Sequence, residues 1–136
     1  MKITVEALVA APIDLVWQAW TTPTEITQWN AASDDWHCPH ATVDLRPGGK
    51  FSSRMEAKDG SFGFDFEGTY ITIVRPERLE CEFGGRSLLV EFLVAADGVI
   101  VRETFDAEET NPVEMQRVGW QAILDRFANH VAARRA

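Results

Sequence analysis

Cysteine is scarce in this chain. Cys38 and Cys81 are the only two and lie far apart, so free, buried thiols are expected in place of a disulfide framework. Long apolar runs are missing as well: none approaches the roughly 18 residues that a membrane-spanning helix needs. The first stretch, MKITVEALVA, alternates polar and apolar residues and lacks the continuous apolar segment of a signal peptide. No membrane insertion is expected, and a cytoplasmic location is the default. Basic residues are outnumbered, 13 against 21 acidic ones, for a net charge of −8. That field repels phosphate backbones and anionic lipid surfaces, which argues against nucleic acid as a partner. No glycine-rich loop leads into a helix, and no serine or cysteine triad signature is present, so no cofactor is expected.

What the sequence does have is enough apolar material for a core. The hydrophobic content of its 136 residues is 46%, which suits a single domain spanning 1–136. Ile3, Val5, Ala7 and Val9 alternate with polar residues as in a half-buried strand. Pro12 can open a helix whose stripe is Ile13, Val16, Trp17 and Trp20. A second short helix begins at TPTE, with Thr22 as cap, Pro23 at the first position and Glu25 completing a capping box. Strands follow over 50–58, 62–74, 78–83, 87–95 and 99–106, separated by turns such as RPGG, KDGS and AADG. In the 62–74 segment the apolar parity slips between Phe66 and Ile71, which predicts a bulge at Gly68. A helix from about Pro112 to Arg134 closes the chain. Its buried stripe is Val113, Trp120, Ile123, Leu124, Phe127 and Val131, and Gly119 at the edge of the stripe suggests close approach to a sheet. The expected class is α+β: a curved antiparallel sheet wrapped around the long C-terminal helix, with two short helices after the first strand.

That order, carried by APIDLVWQAWT, ITQW, DLRPGGKF, FEGTY, RPERL and MQRVGW, resembles the START-like (SRPBCC) superfamily of helix-grip folds. Within it, the chain is most similar to the branch named after the activator of the heat-shock protein 90 ATPase. The resemblance runs from Val5 to about Val131. It implies a sheet gripping the last helix, often with a cavity between them. Relatives of this kind include polyketide cyclase-like proteins and binders of lipids or other hydrophobic ligands.

The stretch DDWHCPH (34–40) offers His37, Cys38 and His40 as metal ligands, but their spacing matches no common zinc pattern. Asp34 and Asp35 oppose a thiolate at Cys38. The stretch is therefore expected to be a packed loop with no metal bound, in which Trp36 and Cys38 close one end of the cavity and His37 is available to orient a ligand. Trp120 and Leu124 lie on the helix face that the sheet grips, and Gln116 sits one turn before Trp120. Glu103 shares strand parity with Val99, Val101 and Phe105, so its carboxyl is expected to enter the pocket. Asp65 and Glu67, between phenylalanines, are expected on a solvated strand face. The leading expectation is a domain that binds an apolar or aromatic small molecule through these residues. General acid–base chemistry by Glu103 or His37 is compatible with the sequence but not required by it. A chaperone-associated interaction protein is the alternative from a different class.

Overall fold

A computed structural model describes residues 1–135. Strand β1 (Lys2–Val9) is followed by helices α1 (Ile13–Thr21) and α2 (Pro23–Trp29). Six more strands come next: β2 (Trp36–Val43), β3 (Lys50–Ala57), β4 (Gly63–Val74), β5 (Arg78–Phe83), β6 (Arg86–Ala95) and β7 (Gly98–Asp106). Helix α3 (Val113–Arg135) ends the described chain. The sheet runs β1-β7-β6-β5-β4-β3-β2, with every neighbouring pair antiparallel. Short turns dictate this order, because each hairpin places a strand beside its predecessor. Only β1 crosses to the far side, where it pairs with β7.

The inner face of the sheet carries Ile3, Val5, Leu79, Val90, Phe92, Val101 and Phe105, all buried. Against it pack Leu124, Phe127 and Val131 of α3 together with Val16 and Trp17 of α1. Trp20, Trp29 and Phe127 form one aromatic cluster, with centroids 4.8–5.1 Å apart, that ties the three helices together. Helix α3 is also fastened to the free edge of β1. The Arg117 guanidinium donates to the Thr4 carbonyl and the Gln121 amide to the Glu6 carbonyl, at 3.3 and 3.0 Å. These bonds occupy edge carbonyls that would otherwise be open to another strand.

Four local expectations change. DDWHCPH is not a packed loop, because Trp36 begins edge strand β2. The pairing with β3 skips between His37 and His40, around Pro39, which has no N–H to give to a ladder. The bulge in β4 falls between Tyr70 and Thr72, while the β3 pairing runs regularly through Gly68. Ile71 is the residue pushed out, 55% exposed, and Ile73 returns to the core. Thr22 caps α2 without a side-chain hydrogen bond, and Glu25 turns inward. There it meets Nε2 of the mostly buried His130 at 2.8 Å and the exposed Arg134 at 3.1 Å, a polar cluster that joins α2 to α3. Finally, a Cβ at Gly119 would touch nothing within 4 Å, so this glycine does not mark a close approach to the sheet.

Candidate functional site

Between the concave sheet and the three helices lies a cleft of about 620 Å³. Strand alternation builds most of its wall. Ser53 and Met55 on β3, Phe66 and Tyr70 on β4, and Cys81 and Phe83 on β5 bring their side chains to one surface. Trp120 and Ile123 of α3 and Trp20 and Trp29 of the short helices close the other side. The RPGG turn supports the floor: Gly48, at φ 83°, donates its N–H to the Tyr70 carbonyl, and the Tyr70 N–H donates to Gly49. A Cβ at Gly49 would collide with the Asp44 carbonyl, so this turn requires glycine there.

Glu103 is the polar centre of the cleft. Its strand neighbours are Val5 on β1 and Val90 on β6, both fully buried, so its carboxyl is held in an apolar row. The residue is 5% exposed, and no described residue donates a hydrogen bond to its carboxyl. Burial alone pushes its pKa up to about 8, because no nearby charge stabilises the ionised form. At neutral pH it is therefore mainly a neutral acid. Two other titratable groups of the wall, Cys81 and Tyr70, are also uncharged. Burial raises the Cys81 thiol to about 12, and the Tyr70 hydroxyl is raised above its ordinary value for the same reason.

Trp120 stacks on Phe105, with centroids 3.8 Å apart and planes 13° apart. It also meets Phe66 and Phe83 at 6.0 and 5.9 Å, edge-on or tilted. At the rim, Arg86 lies with its guanidinium carbon 4.5 Å from the Phe83 centroid, while its Nε donates to the Asp106 carbonyl at 3.0 Å. Asp65 and Glu67 are solvent-exposed, as their spacing suggested, yet both border the mouth of the cleft.

Of the seven candidate binding residues, Glu103 and Trp120 line this cleft, whereas Trp36, His37, Cys38, Gln116 and Leu124 do not. Trp36 packs edge-on against Phe62 and Phe64 at 6.0 and 6.1 Å. His37 is half-exposed, 3.7 Å from Glu56. Cys38 is buried and directs its thiol to the His40 carbonyl at 3.5 Å, and burial raises its pKa. Gln116 is used internally: it accepts from the Glu108 N–H and donates to the Glu108 and Asn111 carbonyls, clasping the loop before α3. Leu124 is solid core. Among the described residues, no three His, Cys, Asp or Glu side chains are grouped to hold a metal ion. The residues that sequence reasoning missed, chiefly Phe66, Tyr70, Cys81 and Phe83, had an available signal in the alternation of β4 and β5. The displaced bulge obscured it on β4.

A half-barrel of seven antiparallel strands closed around a long C-terminal helix is the helix-grip fold of the START-like superfamily. The family model described as activator of Hsp90 ATPase homolog 1-like protein matches residues 10–132, and the chain belongs to that family. Among solved structures, the AHSA1-like protein from Aeromonas hydrophila is 47% identical, with a TM-score of 0.92 over 98% of this chain and 94% of that one. A protein from Cytophaga hutchinsonii is 44% identical, with a TM-score of 0.83 over 98% and 93%. A protein from Nitrosomonas europaea shares the fold at 19% identity, with a TM-score of 0.84 over 98% and 96%. No curated protein matches the chain. No described helix is long and apolar enough to cross a membrane.

Proposed function

We propose that this domain binds a small, largely apolar molecule in the cleft between sheet and helices. One observation carries the reading: a nearly buried carboxyl without a hydrogen-bond partner, Glu103, set in the wall of a largely apolar cleft of about 620 Å³. Volumes of roughly 300–1,000 Å³ with a few placed polar groups are typical of small-molecule sites. Apolar area supplies the affinity, and Glu103 orients the occupant. A buried polar group left unpaired costs stability, of the order of 1–3 kcal/mol, and a ligand group that satisfies it recovers that cost. The interaction-protein reading has less behind it. The exposed large apolar side chains are divided among Met1, Leu8 on β1, Ile71 on β4, Val94 on β6, Met115 and Val118 on α3, and the Phe62–Phe64 pair.

Calorimetry with 1-naphthylmethanol, mapped by amide chemical shifts, tests the proposal. One molecule should bind per chain and shift the amides of Tyr70, Cys81, Glu103 and Trp120. Absence of binding, or shifts confined to the outer face of the sheet, would set the cleft aside.

A further inference from the structure

We propose that the natural occupant of the cleft is a hydrophobic cation, an organic ammonium whose apolar body lies against the aromatic wall and whose charged head pairs with Glu103. The inference rests on the ligand-binding reading above and goes further by naming the ligand's charge. Three features support it.

The first is the charge around the mouth, where Asp65 and Glu67, on the outward parity of β4, border the cleft and Arg86 is the one guanidinium of the lining. Asp65 is partly satisfied by Arg54 at 3.4 Å, but Glu67 has no ion pair among the described residues. With a net chain charge of −8, the mouth attracts cations and repels anions.

The second is the identity of the inner group. A neutral ligand could be oriented equally well by a buried glutamine, serine or tyrosine, and none of these has an ionised form to keep out of an apolar row. Only a cation uses the charge a carboxylate can carry. Glu103 has no cation near it, and burial is the sole cause of its raised pKa, so the counter-charge is missing from the chain itself. The other titratable groups facing the cleft do not supply it. Tyr70 and Cys81 are neutral, and Arg86 is engaged at the rim by Phe83 and the Asp106 carbonyl.

The third is the wall. Trp120, Phe66, Phe83 and Tyr70 are joined there by Trp20 and Trp29, and aromatic faces attract cations through the ring quadrupole. One of these rings, Phe83, already holds a cation, that of Arg86.

Two probes of one shape separate this from the general reading: 1-naphthylmethylammonium and 1-naphthylmethanol, titrated at pH 7 into the wild-type chain and into Glu103→Gln. The ammonium should bind about tenfold more tightly than the alcohol to wild type, a gap expected for a desolvated charge pair. In Glu103→Gln the two should come within about twofold, since the amide keeps the shape and loses the charge. A thermal midpoint at or above wild type identifies the variant as folded. Equal affinities in wild type, or tighter binding of the alcohol, overturn the cation inference and leave the apolar-ligand reading standing. A preference that survives in Glu103→Gln also overturns it, assigning the selectivity to the acidic rim alone. If neither probe binds, both readings fall.

Discussion

The indole of Trp120 lies nearly flat on the ring of Phe105, at a centroid distance of 3.8 Å. Glu103 and Phe105 occupy the same inward face of β7, so one register positions both the buried carboxyl and the aromatic surface on which α3 rests. Trp120→Ala should therefore cost about 3–5 kcal/mol in urea unfolding and enlarge the cleft. Trp120→Phe should recover much of that loss by keeping a ring on Phe105. A cost below about 1 kcal/mol for the alanine variant would show that the stack does not hold the helix.

Stability should fall as pH rises. The folded pKa of Glu103, about 8, lies above the ordinary carboxylate value, so the folded chain holds a proton that the unfolded chain releases. Its contribution is fully present below the ordinary pKa near 4.5 and is lost progressively as pH rises through about 8. Thermal midpoints from pH 5 to 9 should decline more steeply for wild type than for Glu103→Gln. Parallel profiles would mean that the carboxyl is not desolvated.

The same titration gives opposite slopes for two kinds of ligand. A neutral aromatic alcohol should bind less tightly above pH 8, where its entry would bury an ionised carboxylate. A quaternary ammonium of similar size should bind more tightly over the same range, since its charge does not titrate and that of Glu103 does. Calorimetry between pH 6 and 9 separates the two directions.

Two glycines should respond in opposite ways. A Cβ at Gly68 would lie 2.5 Å from the Glu82 carbonyl and 2.6 Å from the Phe51 ring, so Gly68→Ala should destabilise by about 1–3 kcal/mol. At Gly119 a Cβ meets open space on a helix, and Gly119→Ala should stabilise by up to about 1 kcal/mol. Urea midpoints of the two variants on opposite sides of wild type are the expected result.

Glu25 is the remaining test. It holds His130 and Arg134 where α2 meets α3, with its side chain 10% and that of His130 13% exposed. Glu25→Ala should cost about 1–3 kcal/mol, because it leaves the mostly buried His130 without its hydrogen-bond partner. Arg134→Ala, at a site 45% exposed, should cost much less. Similar losses for the two would move the weight of the cluster to the surface pair.

Most of the fold was legible along the chain because its signals are local. Alternation identified every strand except β2, a 3.6-residue stripe marked α3, and the placement of Pro12, Pro23 and Gly48 marked where elements begin and turn. Parity also placed Glu103 inward and helical phase placed Trp120 against the sheet, since each needs only its own element's geometry. What tertiary structure decided is which polar residues are already satisfied. Gln116 and Glu25 are both buried, yet one clasps the loop before α3 and the other bonds to a helix about 100 residues away. Glu103 has comparable surroundings and receives no hydrogen bond from any described residue. Partners of this kind come from distant segments brought together by the sheet, so no local pattern distinguishes a satisfied buried carboxyl from one left open to a ligand.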